Sequence, residues 1–395
     1  MISAKVVADS ITATGDRLTT LEITLPRYIL AEGKTHRIIS GMLEQVTVET
    51  SVGLNDEYYL SKNSASSRAI PFNKMIKEVQ ENPFIPYAWQ KDHKGMQGTE
   101  YWDKETFVGK NNNTMLYTTA RRQTWIEASE KAIEMATILN KEGEVTKQLA
   151  NRLLEPFMYH KVLISATEWD NFFNLRCPQY SLEGTEEGVR SVDFKSWKDL
   201  CKAYPMIVSE ENSILSRLKH NKGQADIHMM FLAEAIYDAR NESIPKKLNP
   251  EEWHIPYGDN MDVSELLRLG IKENLLETKE SIDDYDALDY DIIDDLRAKI
   301  SIARCARLSY QTLGDNPEIN YEKDLELYDT LSKSGHWSPF EHVAKVMTGD
   351  EYNLWVKGKL VENFDSDNVN YPNDDSTGWC RNFRGFIQYR ELLDN

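Results

Sequence analysis

Residues 162–176 read VLISATEWDNFFNLR. The first five residues fit a short buried strand. Thr167 and Asp170 follow in a T-x-x-D spacing, which resembles a helix N-terminus capped by its own side chains. WDNFFNLR is therefore expected to begin a helix. Trp169 and Phe173 would share one face, and Phe172 and Arg176 another, at four-residue spacing. A strand that runs straight into a helix sets the character of the whole chain.

The same alternation recurs in both directions. LTTLEITL (18–25) has strand composition, and Pro26 ends it. Helices are expected between Thr124 and Leu154, divided at Gly143 and closed by Pro156. Further helices are expected at 223–239, at SELLRLGIKENLLE (264–277) and at YEKDLELYDTLSKSG (321–335). In the last of these, Leu325, Tyr328 and Leu331 line one face and Gly335 stops the helix. Residues 177–222 read as irregular and polar, and the acidic run 282–296 as a solvated helix face. QVTVETSV (45–52) alternates with period two, and FRGFIQYR (383–390) reads as a last strand. EEWHIPYGD (251–259) reads as a loop. The fold class expected is α/β in the broad sense, more closely α+β: a mixed sheet flanked by helices, forming one unit over 1–395.

The chain has 395 residues and a net charge of -18. That charge argues against a general nucleic-acid or membrane-surface binder, because phosphate surfaces would repel it. Local arginines still allow a small anionic ligand. Cys177, Cys201, Cys305 and Cys380 are scattered without metal-ligand spacing, so a reduced cytoplasmic protein without a metal site is expected. MISAKVVADS has no apolar signal core, and no long uncharged apolar run follows. A membrane partner is therefore not expected.

NSASSR (63–68) gathers hydroxyls, backbone N–H groups and a guanidinium, the donors that hold a phosphate monoester. Alone it also reads as a solvated serine loop. THR (35–37), Arg152 in NRLLEP (151–156), Arg176 and SPFEH (338–342) are equally weak alone.

Together these segments resemble the flavin-dependent thymidylate synthases. ARLSY (306–310), HWSPFEH (336–342), THR (35–37) with SKNSASSRA (61–69), NRLLEP, TEWDNFFNLR (167–176) and GQADI (223–227) match that family's segments in cyclic order. The order is rotated, so the chain resembles a circularly permuted, bacteriophage-type member. Insertions then fall at about 40–60, 178–222 and 343–378.

The resemblance implies reductive methylation of dUMP to dTMP, a step of nucleotide biosynthesis, using FAD, NADPH and methylenetetrahydrofolate. It implies a homotetramer with shared active sites, in the host cytoplasm if phage-encoded. His36, Arg37, Asn63, Asn171, Ser309 and His342 match flavin-contacting positions. Ser66, Arg68 and Arg152 match nucleotide-binding positions, and Ser67 would join the phosphate cradle. Ser64 stands where the family has a glutamate, and Thr35 where it has an arginine. Arg176 matches the residue beside the pyrimidine and is the candidate for activating the base. Ser165 and Thr167 align with an asparagine and an arginine.

Glu32 aligns with a base-reading glutamine. An ionised carboxylate only accepts hydrogen bonds, so Glu32 fits an amino-bearing base such as cytosine better than uracil. Hydroxymethylation or a related C5 modification of dUMP or dCMP is therefore a second expectation. The altered signature also leaves room for a non-catalytic nucleotide-binding descendant.

Overall fold

The computed structural model describes residues 1–29, 71–94, 98, 100–102, 106–108, 114–181, 193–205, 213–258, 260–279, 284–308, 320–353 and 383–393. Strands β1 (Ser3–Thr12) and β2 (Arg17–Pro26) form an antiparallel hairpin. Helix α1 (Phe72–Glu81), the short pair β3 (Thr106–Val108) and β4 (Thr114–Leu116), and helix α2 (Tyr117–Lys141) follow. A short α3 (Lys147–Ala150) runs into a 3-10 turn over Asn151–Phe157, then into β5 (Tyr159–Ala166) and α4 (Asp170–Arg176). Next come α5 (Trp197–Ala203), α6 (Ile214–Lys219), the long α7 (Ile227–Glu242), β6 (Lys246–Leu248) and β7 (Trp253–His254). The last described elements are α8 (Val263–Lys272), α9 (Ala287–Arg307), α10 (Tyr321–Ser334), β8 (Ala344–Val346) and β9 (Phe386–Gln388). The class is α+β, as the sequence suggested.

The main sheet has the order β5-β2-β1-β6, with β6 parallel to β1. Side chains alternate between its two faces. On one face, Leu21, Ile23, Leu25, Val162, Ile164 and Ala166 pack under α4 and α7. On the other face, Leu18 meets a smaller sheet of order β7-β8-β9, through Ala344, Val346 and Phe386. The C-terminal end of α9 closes the same side, where Cys305 and Leu308 pack on Val7 and Leu163. The strands are apolar in both phases because both faces are covered. Among the described residues, no helix is long and apolar enough to cross a membrane.

Several local expectations hold. Trp169 and Phe173 stack at 5.8 Å. Gly335 adopts φ 69° and forms the left-handed C-cap of α10, a conformation that costs glycine nothing. Others need correction. The T-x-x-D box does not form: α4 begins after Trp169 without a side-chain cap, and the Thr167 hydroxyl accepts the Arg384 N–H instead. The helix expected over 145–154 breaks into α3 and the 3-10 turn, and Pro156 lies inside that turn rather than after it. After α2 the left-handed residue is Glu144, not Gly143. SPFE (338–341) is a 3-10 turn, and the strand begins only at Ala344. EEWHIPYGD contains β7, which pairs with β8. Residues Val343, Ala344, Val346 and Met347 belong to the core. The segment 178–222 is not wholly irregular: it carries α5 and α6.

Candidate functional site

β5 is the spine of the candidate site. At its C-terminal end, Ser165 lies opposite Thr20 of β2. Both side chains point to the face covered by the small sheet, because they share the phase of Leu18 and Leu163. Their hydroxyls meet at 2.6 Å. His254 of β7 reaches Thr20 through Nε2 at 2.8 Å and Ser10 through Nδ1 at 2.9 Å. His342, just after the SPFE turn, reaches Ser165 through Nδ1 at 2.9 Å. The result is one buried chain: Ser10, His254, Thr20, Ser165, His342. Its far end is open, because His342 Nε2 has no hydrogen-bond partner among the described residues.

Burial governs the charge state of this chain. His254 and His342 expose no surface. Desolvation holds both imidazoles down to about 3, and each is therefore neutral at physiological pH. His254 also disfavours a charge on His342. Beside them, Glu341 pairs with Arg390, yet burial raises its carboxyl to about 7.

Helix α4 follows β5 on the opposite face of the sheet and runs from Asp170, near Arg240 of α7, to Arg176, whose neighbour Cys177 faces Glu234. The Arg176 Nε is buried and has no hydrogen-bond partner among the described residues. Asn171, on the first turn of α4, is exposed.

Arg152 lies at the other end of β5. Tyr159 and Ser165 are six residues apart, about 20 Å at the usual strand rise of ~3.3 Å per residue. Arg152 pairs with Glu155 at 2.7 Å, and Arg27 approaches the same carboxylate at 3.7 Å. Two guanidinium groups thus share one carboxylate.

The structure therefore joins His342 to Ser165, two segments 177 residues apart. It does not join either to Arg152. Glu32, His36, Arg37, Asn63, Ser64, Ser66, Ser67, Arg68 and Ser309 lie outside the described residues. Sequence reasoning missed Thr20, Ser10 and Arg27, and left the role of His254 in EEWHIPYGD open. For Thr20 a signal existed: LTTLEITL has apolar residues in both phases, so its threonines had to be buried and partnered. For Arg27 there was none.

A cavity of about 570 Å³ lies elsewhere, between α7, the start of β5 and helices α5 and α6. Tyr87, Tyr159, Trp197 and Phe231 line it, with Arg217 and Glu234. It stands at the end of β5 away from His342.

A scan against protein-family models and searches of curated proteins and of solved structures find no match to this chain.

Proposed function

We propose that the chain is a flavin-dependent thymidylate synthase that methylates dUMP. The observation that carries this reading is the Ser165–His342 hydrogen bond, which ends in a buried nitrogen without a partner. The resemblance puts the SPFEH segment and TEWDNFFNLR at the flavin, although the permutation separates them, and His342 meets the strand that leads directly into TEWDNFFNLR. A buried polar atom without a partner costs about 1–3 kcal/mol, so a ligand edge that meets it recovers binding energy.

The residues fit the groups the family uses. His342 would hold the flavin edge, while Asn171 and Arg176, on α4 across the sheet, would reach the same flavin site only from a neighbouring subunit. Bound FAD supplies hydride chemistry, with reducing equivalents from NADPH and the one-carbon unit from methylenetetrahydrofolate. Arg176, whose buried Nε has no hydrogen-bond partner among the described residues, would stabilise negative charge developing on the pyrimidine oxygen. Arg27 and Arg152 hold the phosphate and fix orientation. A cysteine nucleophile is disfavoured: burial raises the Cys177 and Cys201 thiols, which suppresses the thiolate.

Arg152 and His342 lie at opposite ends of β5 in one chain. They serve a single site only if subunits share sites, so the reading includes a homo-oligomer, a tetramer by resemblance.

The test is turnover of dUMP with FAD, NADPH and methylenetetrahydrofolate. Arg176→Ala is expected to abolish turnover while nucleotide still binds. Product formation from dCMP but not dUMP would move the assignment to C5 modification of cytosine. An Arg176→Ala variant with full turnover would contradict the role of Arg176 at the base. A monomer in solution would contradict a site shared between Arg152 and His342.

A further inference from the structure

The buried chain has a property that does not depend on the reaction proposed above. Each neutral imidazole carries one ring hydrogen, and each hydroxyl donates one. Four consecutive hydrogen bonds link the five side chains. Only two arrangements satisfy all four without stranding a hydroxyl hydrogen at Thr20 or Ser165, since an inner hydroxyl that accepts twice has no acceptor left in the chain for its own hydrogen. In the first, His342 Nδ1–H donates to Ser165, Ser165 to Thr20, Thr20 to His254 Nε2, and His254 Nδ1–H to Ser10. In the second, every bond runs the other way. Both histidines therefore carry the same tautomer in either arrangement.

The two ends decide between them. In the first arrangement the Ser10 hydroxyl keeps its hydrogen free. Ser10 lines a polar cavity of about 350 Å³, with Asp9, Lys246 and Arg297, so solvent there accepts that hydrogen. The leftover atom is His342 Nε2 as a bare acceptor. In the second arrangement the leftover atom is a buried N–H donor. Orphaned buried N–H groups are rarer than under-satisfied acceptors. The first arrangement is favoured.

We propose that Ser10, His254, Thr20 and Ser165 are positioning residues that lock His342 in the Nδ1–H tautomer and present its bare Nε2 as an acceptor for a ligand N–H or O–H donor. The neighbouring groups do not disturb this. Glu341, next in sequence to His342, is engaged by Arg390, and Asp9 is held by Arg17 at 2.6 Å. Burial keeps both rings neutral.

The experiment is nitrogen-15 NMR of the histidine side chains in the full chain, assigned with single histidine substitutions. Both His254 and His342 are expected to carry hydrogen on Nδ1. In Thr20→Val, Ser165 has its hydrogen left for His342, so His342 is expected to shift to the Nε2–H form. Thr20→Ser keeps the hydroxyl and is expected to restore the original spectrum. Opposite tautomers in the two histidines, or Nε2–H in both, would overturn the proposal in the wild-type protein alone. An unchanged His342 spectrum in folded Thr20→Val would do the same. None of these readouts requires turnover, so failure of the proposed function leaves this test intact.

Discussion

Two buried polar networks flank β5, and they are built from different chemistry. Around Ser165 the network is neutral: three hydroxyls and two imidazoles in a line, buried, with one atom left over. Around Glu234 the network is charged. Arg217 donates to Glu234 Oε2 at 2.5 Å, the Tyr180 hydroxyl to the same oxygen at 3.1 Å, and the Trp197 N–H to Oε1 at 2.7 Å. The Arg217 guanidinium packs over the rings of Tyr180, Trp197 and Phe231. Both carboxylate oxygens are engaged. A carboxylate with its acceptors filled is a clasp, and this one ties α5 and α6 to α7. Among the described residues, the neutral chain leaves His342 Nε2 over, and the charged network leaves Arg217 Nε and Trp197 Nε1 over. The contrast is one of charge: an ion pair anchors one network and neutral dipoles the other.

The largest expected effect comes from breaking the clasp. Glu234→Ala leaves Arg217 buried without its partner, at a cost of about 3–5 kcal/mol. Urea denaturation measures it. A loss under about 1 kcal/mol, the range of an exposed pair, would mean that Arg217 relaxes to solvent and that the clasp is not one. Thr20→Val cuts the neutral chain and is expected to cost less, about 1–3 kcal/mol.

pH distinguishes the networks by sign. His254 and His342 fall to about 3 in the fold from an ordinary 6.5. The unfolded chain binds more protons between those values. Their contribution is complete above 6.5 and is lost as pH falls toward 3, by about 1.4 kcal/mol per pH unit for each histidine. Burial raises Glu234 despite Arg217, so its contribution moves the other way and declines as pH rises. Glu341, raised to about 7 from 4.5, does the same between those values. In stability curves measured from about pH 4 to 8, His254→Gln should remove part of the fall below pH 6.5, and Glu341→Gln should remove a decline between about 4.5 and 7. The smallest effect is expected at Arg152→Ala. Its ion pair with Glu155 is largely exposed, so stability should change by less than about 1 kcal/mol while nucleotide binding weakens.

How much of this was legible in the sequence follows from the range of the forces. Gly335 and the Trp169–Phe173 pair were readable because a left-handed cap and a four-residue spacing are local. Thr167 misleads because its hydroxyl meets Arg384, 217 residues away, rather than capping α4. The same range hid the neutral chain. Ser10, Thr20 and His254 come from three strands, and no spacing in the sequence records their meeting. His342 was legible only through its surrounding motif. The clasp was invisible for the same reason, since Arg217 and Glu234 lie in different helices whose packing no local pattern fixes.

Everything proposed for turnover depends on one assignment: the open end of the neutral chain belongs to a flavin site. The most direct measurement is the visible absorption spectrum of the full chain titrated with FAD, before and after addition of dUMP, in wild-type protein and in His342→Ala. Wild-type protein is expected to bind FAD with a spectrum that shifts on adding dUMP, and His342→Ala to bind it more weakly. Absence of flavin binding to folded wild-type protein, with and without nucleotide, would contradict the assignment.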